Sequence, residues 1–299
     1  MATDLVTGAF SYTGARIADR LLAGERAVRT LTRRTPPPSS PIEAFPYEWE
    51  YDALREVLSG VDTLFNTYWV RIRHGETTYS DAIENSRLLF DAAADAGVRR
   101  IVHVSITNAD RAPQLPYFAG KAAAEAALEE SGVPHAIVRP TVVFSEDDVL
   151  VNNIAWLLRR IPVFFIAGDG RYRVRPVHVE DVARICVEHA VGDDDVVVDA
   201  VGPDDLAFED MVGHIRDSIG SRSLLVHVDR RLLLPVAWGL GMALRDHLMT
   251  GEELDGLMAD LVSSDAPTTG EISFCRWVEG HGDVLGRSYV SEQRRNYRR

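Results

Sequence analysis

Lysine is almost absent from this chain. Of its 32 lysine and arginine residues, one is a lysine, Lys121, and the rest are arginine. GC-rich coding and a salt-adapted acidic surface would both produce this bias, and the sequence leaves the two explanations open. Whatever replaced lysine elsewhere spared position 121, so this residue is the first candidate for a functional role.

Cysteine and long apolar runs are also scarce. The two cysteines, Cys186 and Cys275, lack metal-site spacing, so we expect free thiols in a reducing compartment and no metal site. The longest apolar run, 232–244, includes Pro235 and is too short to span a bilayer. We interpret it as a buried helix, with contact at a membrane surface as the alternative. Because the N-terminus has no signal-peptide pattern, we expect a cytoplasmic protein without a membrane span.

A surplus of positive charge is missing as well, since the formal net charge is −13 at pH 7. Binding nucleic acid through its phosphates requires surplus cations, which argues against nucleic acid as a partner. A small-molecule substrate is expected, while a protein partner or a second copy of the chain stays open. The last residues form a basic tail (Arg294, Arg295, Arg298 and Arg299), for which a solvated terminus is the simpler interpretation and docking to an acidic surface the alternative.

The N-terminal residues have the pattern of a phosphate-binding turn. A short apolar strand at 4–7 precedes a glycine-bearing turn and a helix with apolar residues at helical spacing. Gly8 permits the tight turn, Gly14 allows close helix packing, and the helix start attracts a pyrophosphate. Ser11 stands where a glycine is usual, and its hydroxyl could bond a phosphate oxygen. The predicted phosphate-binding residues are Gly8, Phe10, Ser11, Tyr12, Thr13 and Gly14.

Two arginines follow the predicted second strand at 27–32. A site selective for NAD usually carries an acidic residue there, whereas an arginine accommodates the 2′-phosphate of NADP. Arg33 and Arg34 therefore favour NADP(H) over NAD(H), with a solvated basic turn as the alternative. Glu50 follows a predicted strand at 47–49, with Asp52 close behind, and one of the two is a candidate partner for the adenine amino group. Ligands bind at the carboxyl ends of parallel strands, and the next strand, 62–65, ends there with Asn66, Thr67 and Tyr68.

The middle of the chain carries candidate residues for proton transfer. Ser105 follows an apolar strand at 100–104. The next helix contains Tyr117 and, four residues later, Lys121, and this spacing puts both side chains on one helix face. An ammonium beside a phenol lowers the pKa of the tyrosine, so that Tyr117 could give or take a proton near neutral pH. A plain surface pair is the alternative interpretation.

These motifs resemble those of the short-chain dehydrogenase/reductase superfamily. The resemblance is carried by the turn at 7–14, by the strand ending in Ser105 and by Tyr117-x-x-x-Lys121. The most similar branch comprises the atypical NmrA-like proteins and the nucleotide-binding accessory subunit of respiratory complex I. Its signature segments here are Asn66-Thr67-Tyr68-Trp69, Tyr117-Phe118-x-Gly-Lys, Arg139-Pro140-Thr141 and 176–183. The resemblance covers about residues 3–190.

The resemblance implies roles for the matching positions. Tyr117 would be the general acid/base, and Lys121 would bond the nicotinamide ribose. Ser105 would polarise the substrate carbonyl or hydroxyl, with Thr107 as a nearby substitute. The residues that would border the nicotinamide are Pro140, Thr141 and Val142. Some members of this branch bind the nucleotide without known turnover.

We therefore predict a Rossmann-type α/β fold, a doubly wound parallel sheet with helices on both faces. It would comprise residues 1–145, with a strand and helix returning around 173–200, and a smaller C-terminal α/β substrate lobe would occupy mainly 146–299. The favoured function is an NADP-preferring oxidoreductase acting on a carbonyl or secondary alcohol. The alternative is a non-catalytic NADP(H)-binding sensor or accessory subunit. A nucleotide-sugar epimerase is less favoured. It would need a basic pocket for a diphosphate in the last third of the chain, and Arg159, Arg160, Arg173 and Arg175 keep this alternative open.

Overall fold

A computed structural model of the protein describes residues 2–70, 78–246 and 249–291. The predicted basic tail, Arg294 to Arg299, lies outside the described residues. The chain divides into two compact units. The first unit comprises Met1–Pro140 and Val179–Ala200, and the second comprises Thr141–His178 and Val201–Arg299.

Strands and helices alternate along most of the described chain. The strands are β1 (Thr3–Thr7), β2 (Ala27–Leu31), β3 (Glu43–Phe45), β4 (Val61–Asn66), β5 (Arg100–Val104), β6 (His135–Pro140), β7 (Val143–Phe144), β8 (Val163–Ala167), β9 (Arg173–Val174), β10 (Val177–His178), β11 (Val196–Ala200), β12 (Leu206–Ala207) and β13 (Leu224–Val228). The α-helices are α1 (Tyr12–Ala23), α2 (Tyr51–Leu58), α3 (Tyr79–Asp95), α4 (Pro116–Glu130), α5 (Leu150–Leu158), α6 (Val179–Glu188), α7 (Phe208–Ser218), α8 (Arg230–Leu244), α9 (Gly251–Met258) and α10 (Phe274–His281).

A seven-stranded parallel sheet forms the centre of the first unit. Its strand order is β11-β6-β5-β4-β1-β2-β3, and every pairing is parallel. The chain winds in one direction from β1 to β3 and in the other from β4 onwards, so the switch point lies between β1 and β4. Ligands of open parallel sheets bind at such a point, beyond the carboxyl ends of the strands. This architecture confirms the predicted fold class.

Helices cover both faces of this sheet. Helices α2, α3 and α4 bury residues such as Leu54, Leu89 and Leu128 in one apolar cluster with residues of the strands. Helices α1 and α6 pack against each other and belong to crossovers of the opposite face, because βαβ crossovers are right-handed. Fully burying a leucine side chain contributes about 2 kcal/mol, so this packing is a main source of the unit's stability.

The second unit has three short strand pairs around its own apolar core. Strand β7 pairs with β10 and β8 with β13, both in parallel, whereas β9 pairs with β12 in antiparallel orientation. The core contains buried aromatic side chains from separate elements, including Phe144, Phe164, Phe208 and Phe274. Among the helices of the described ranges, none has both the length and the apolar character needed to cross a bilayer.

One predicted strand differs from the structure. The strand predicted at 47–49 lies at Glu43–Phe45, because Pro46 cannot donate a ladder hydrogen bond and the pairing with β2 stops before it. The strand Val196–Ala200 lies in the stretch around 173–200 that was expected to return to the first domain, and it pairs with β6 at the edge of the central sheet.

The apolar run 232–244 is helical but not buried. It forms most of α8, where Leu232, Trp238 and Met242 are exposed. Hydrophobicity alone predicted burial here, yet α8 places only some of its side chains against the rest of the second unit. A further helix, α10, had not been predicted. It begins after Ser273, whose side chain accepts a hydrogen bond from the backbone N–H of Arg276.

Candidate functional site

A buried hydrogen-bond network joins the carboxyl ends of β1 and β4. The Thr7 hydroxyl accepts bonds from the backbone N–H groups of Thr67 (2.7 Å) and Tyr68 (3.0 Å), and donates to Asn66 Oδ1 (3.1 Å). The Thr67 hydroxyl donates in turn to the Thr7 carbonyl at 2.6 Å. The predicted cofactor residues Asn66, Thr67 and Tyr68 are thus brought together at the switch point.

His103 extends this network to β5. The side-chain amide of Asn66 lies 3.1 Å from His103 Nδ1. Because the amide nitrogen can only donate, Nδ1 accepts and Nε2 carries the proton. Burial, together with the nearby Lys121 charge, holds the pKa of His103 well below its usual range. The histidine is therefore neutral and links two strands, in addition to packing edge-on against Phe90.

Close contacts within the glycine-bearing turn fix its conformation. Gly8 has a φ of +70°, and a Cβ added to Gly14 would lie 2.3 Å from the Gly8 carbonyl oxygen. Ser11 donates from its hydroxyl to the same carbonyl at 2.5 Å, so this hydroxyl stabilises the turn rather than pointing a free donor towards a phosphate. What remains for an anion is the start of α1, formed by Tyr12 and Thr13, because first-turn amides lack helical acceptors.

The two arginines after β2 are exposed and have different contacts. Arg34 donates from its guanidinium to the carbonyl of Phe10 in the glycine-bearing turn. Arg33 lies over the ring of Tyr47, with 5.9 Å between the guanidinium carbon and the ring centroid. Arg34 is therefore next to the predicted phosphate site, and both arginines follow the strand end at which a ribose 2′-substituent is read.

An aromatic cluster lies next to these arginines. The rings of Tyr47, Trp49 and Tyr68 have centroids 4.6 to 5.6 Å apart. Desolvation by burial raises the pKa of both tyrosines, so they are neutral. The sequence prediction of a strand at 47–49 did not include this cluster. Two aromatic residues shortly after a proline were a pattern that could have indicated it. Glu50 follows as the exposed N-cap residue of α2.

Helix α4 presents Tyr117 and Lys121 beside an indole ring. Lys121 is buried, lies 4.6 Å from the Trp69 ring centroid, and donates to the Val104 carbonyl at 3.0 Å. Tyr117 meets Trp69 edge-on, with centroids 6.1 Å apart. Gly120 permits this approach, because a Cβ there would lie 3.1 Å from the indole. Trp69 had entered the sequence interpretation only as part of a family motif, although its place at a strand end was a usable signal.

The protonation of Lys121 differs from the sequence interpretation. Burial lowers the pKa of Lys121 to about 7, and the nearby Glu125 carboxylate opposes this shift only in part. The amine therefore gains and loses its proton close to neutral pH, so its charge there depends on pH. The permanent ammonium that was expected to lower the pKa of Tyr117 is thus present only part of the time.

Ser105 and Thr107 differ in their freedom to bind a ligand. The Ser105 hydroxyl is buried and has no hydrogen-bond partner among the described residues. It directly follows Val104, whose carbonyl holds Lys121. The Thr107 hydroxyl, in contrast, donates to Asp199 at 3.2 Å. Of the two candidates for polarising a substrate, Ser105 is therefore the one whose hydroxyl has a hydrogen bond left to give.

The residues expected to border the nicotinamide belong to different units. Pro140 is the last residue of β6 in the first unit. Thr141 and Val142 begin the second unit, where the Thr141 hydroxyl donates to the Arg175 carbonyl and the Val142 carbonyl accepts from Val177 at 2.8 Å. The glycine-bearing turn, the end of β4 and the Tyr117–Lys121 pair of α4 therefore all lie in the first unit, whereas Thr141 and Val142 lie in the second.

The four arginines considered for a diphosphate pocket are engaged in internal contacts. Arg159 and Arg160 donate to backbone carbonyls between residues 282 and 287. Arg173 bridges the carboxylates of Asp205 and Asp265, and Arg175 donates to three carbonyls and the Thr268 hydroxyl. Within the described ranges, no group of three or more His, Cys, Asp or Glu residues is arranged to hold a metal ion.

Comparisons with known proteins identify the family of the chain. A family model described as NAD(P)H-binding matches residues 8–191, more than half of the chain. The mitochondrial NADH-ubiquinone oxidoreductase 40 kDa subunit of Neurospora crassa is 27% identical over 183 residues, 60% of this chain and 48% of that protein. The 3beta-hydroxysteroid-dehydrogenase/decarboxylase isoform 1 of Arabidopsis thaliana is 24% identical over 204 residues, 58% of this chain and 46% of that protein. The chain thus spans about half the length of these relatives.

A solved structure supports the fold. The triphenylmethane reductase of Citrobacter sp., complexed with NADP(H), superposes with a TM-score of 0.74, covering 94% of this chain and 99% of that chain. Its sequence identity of 16% makes this a likeness of fold alone. Together, the family model, the curated relatives and the superposition confirm the resemblance to the atypical short-chain dehydrogenase/reductase branch.

Proposed function

The chain belongs to the NAD(P)H-binding family, and from this membership we propose that it is an NADP-preferring oxidoreductase acting on a carbonyl or secondary alcohol. Tyr117, Lys121 and Ser105 would be its catalytic residues. The observation that carries the proposal is the buried Ser105 hydroxyl, which has no hydrogen-bond partner among the described residues and directly follows the carbonyl that holds Lys121. A buried hydroxyl left without a partner is costly unless a ligand completes it.

The residues at the switch point fit a dinucleotide. The contact between Gly14 and the Gly8 carbonyl leaves no room for a side chain, so the start of α1 is held close to the strand end. An anion there is favoured by the first-turn amides and the helix dipole. The fixed ends of β1 and β4 border this place. We therefore assign the pyrophosphate to the residues from Gly8 to Gly14, and the adjoining cofactor contacts to Asn66, Thr67, Tyr68 and Glu50.

The two arginines after β2 support a preference for NADP(H) over NAD(H). Arg33 and Arg34 follow β2, and Arg34 already contacts the glycine-bearing turn. A guanidinium matches the geometry and charge of a phosphate, whereas a 2′-hydroxyl needs an acceptor such as a carboxylate. The pair is exposed, so their side chains are able to reorganise around a phosphate.

The chain's own residues would transfer one proton and polarise the substrate oxygen. NADP(H), when bound, supplies or accepts the hydride. In the direction of reduction, Tyr117 would give its phenolic proton to the substrate oxygen, and in oxidation it would take a proton back. Ser105 would donate a hydrogen bond to that oxygen. Lys121 would bond the nicotinamide ribose, and its ammonium form would favour the Tyr117 phenolate. The borders of the nicotinamide would be Pro140, Thr141 and Val142.

Turnover tests this assignment most simply. Carbonyl compounds are screened with NADPH, and Tyr117→Phe and Ser105→Ala are compared with the wild type on any substrate found. Each variant should lose about 10²-fold or more in kcat, because a proton donor or a polarising hydroxyl is removed. NADPH affinity should stay within a few-fold of the wild type. Tyr51→Phe is the matched control, since Tyr51 lies at the start of α2 and bonds Asp95. Equal activity of wild type and Tyr117→Phe would refute the mechanism.

A non-catalytic NADP(H)-binding sensor or accessory subunit is the second candidate. It is favoured by the similarity to a subunit of NADH-ubiquinone oxidoreductase. This function would give tight NADPH binding, no turnover in a broad carbonyl screen, and co-purification with a protein partner. The internal contacts of Arg159, Arg160, Arg173 and Arg175 speak against an epimerase pocket at those residues. The cytoplasmic location stays a prediction.

A further inference from the structure

Helix α8 exposes an apolar stripe. Leu232, Trp238 and Met242 are 63%, 68% and 57% exposed. Pro235, between them, is exposed as well. At 100° per residue, these four positions fall within about a third of the helix circumference. Tryptophan is rarely left this exposed in a solvated surface, so the stripe suits contact with an apolar layer.

Positive charge lies at both ends of this stripe. Arg231 is exposed and lies on the same side of α8 as Pro235, while Arg245 follows the last turn and is also exposed. The third arginine, Arg230, pairs with Asp255. From 230 to 245 the sequence contains no acidic residue, although the whole chain carries a net charge of −13. Two aspartates border this segment: Asp246 is buried, and the exposed Asp229 caps α8 by accepting a hydrogen bond from the backbone N–H of Arg231. The stripe and its flanks are therefore a local basic and apolar surface on an acidic protein.

We propose that α8 binds the surface of an anionic lipid bilayer. Interfacial helices combine tryptophan and leucine on one side with arginines that contact phosphates, and lie in the plane of the membrane. Tryptophan in particular prefers the level of the headgroups. Fifteen residues give a helix about 22 Å long, which suits lying on a bilayer rather than crossing it. Arg231 and Arg245 supply the attraction to anionic headgroups.

A second copy of the chain fits this surface less well. Antiparallel pairing of two α8 helices would place Arg231 of one copy beside Arg245 of the other. The segment 230–245 contains no carboxylate to neutralise them, and like charges at such a contact are unfavourable. The strand pair beside α8 adds apolar surface of its own, because Phe165 and Val226 face each other in register and are both exposed.

Vesicle flotation tests the proposal on the full chain. The wild type should float with vesicles of phosphatidylcholine containing about 30% phosphatidylglycerol, and far less with phosphatidylcholine alone. Leu232→Glu combined with Trp238→Glu should lower the partition coefficient at least about tenfold, because two apolar side chains leave the layer. Val191→Glu is the matched control, since Val191 is an exposed apolar residue of the first unit, and it should float like the wild type.

The charge contribution is tested separately. Arg231→Glu combined with Arg245→Glu should remove the preference for anionic vesicles, and high salt should do the same for the wild type. All substituted positions are exposed, so unchanged circular dichroism and melting are expected and are checked for each variant. Flotation that is absent, or equal for the wild type and the Leu232/Trp238 variant, would overturn the proposal. A wild-type dimer that this variant dissociates, without vesicle binding, would assign the stripe to a second copy and overturn it as well.

Discussion

The helix position of Lys121 was predictable from the sequence, but the environment of its amine was not. Its rarity and its spacing from Tyr117 predicted a shared place at the start of a helix, and α4 contains both residues. The sequence did not predict that the amine would be buried against Trp69 and bonded to a carbonyl. Burial depends on side chains from distant segments, which spacing within one helix does not report.

The buried amine should make stability depend on pH. In the folded chain the pKa of Lys121 is about 7, compared with 10.5 for an unperturbed lysine. Between these values the unfolded chain binds the proton more tightly, so the unfolding free energy rises with pH. Relative to Lys121→Met, the wild type should gain about 2 kcal/mol from pH 7 to pH 9. Chemical denaturation of both proteins at several pH values measures this difference.

The comparison contains its own control. Below about pH 6 the lysine is charged in both the folded and the unfolded chain, so the difference between the two proteins should be constant there. Other titrating groups are common to both proteins and largely cancel. A difference that stays flat from pH 7 to pH 9 would show that the amine is not buried as described.

At the scale of elements, patterns with a clear period were predicted best. The bounds of β5 match the strand expected at 100–104, because an apolar run bounded by turn residues leaves little choice. Helix α10 had apolar residues at positions 274, 277 and 278 after a serine cap, a pattern that was present but short. The exposure of α8 was not predictable, since an apolar run gives no information on what surrounds it.

The ion pair between Arg139 and Glu125 connects α4 to β6. The guanidinium bonds both carboxylate oxygens, at 3.0 and 2.5 Å, and Glu125 is buried. Removing one partner of a buried pair leaves an uncompensated charge. Glu125→Gln should therefore lower the unfolding free energy by about 3 kcal/mol, measured by chemical denaturation.

The same helix offers a matched control for this prediction. Glu130 also pairs with an arginine, Arg87, but both side chains are about half exposed or more. Exposed pairs are screened by water, so Glu130→Gln should leave stability almost unchanged. Equal losses in Glu125→Gln and Glu130→Gln would mean that the α4–β6 pair does not hold the helix in place.

At the scale of the molecule, the doubly wound parallel sheet followed from the alternation of strands and helices. That alternation predicts a parallel sheet, and the right-handed crossover rule limits its topology. The contacts of Arg159 and Arg175 were out of reach, because their partners lie roughly 90 to 130 residues away along the chain. The aromatic cluster of Tyr47, Trp49 and Tyr68 lies closer along the chain, but it forms only where the residues after β3 meet the end of β4, which the spacing of aromatic residues alone does not report.

Cofactor selectivity belongs to this scale too, because the pyrophosphate turn, the β2 end and the β4 end must act together. Charge reversal at Arg33 and Arg34 should weaken NADPH binding by about tenfold or more and leave NADH binding within a few-fold, since only NADPH carries the 2′-phosphate. Arg55→Glu, in the last turn of α2, is the control for each single reversal, Arg33→Glu or Arg34→Glu, because it makes the same change of charge, and both cofactors should bind it as they bind the wild type.

The most direct test of the account is therefore an equilibrium fluorescence titration of the wild-type chain with NADPH and with NADH under identical salt and pH. NADPH should bind at least about tenfold more tightly than NADH, a difference of about 1.4 kcal/mol in binding free energy. Tighter binding of NADH, or no binding of either cofactor, would contradict it.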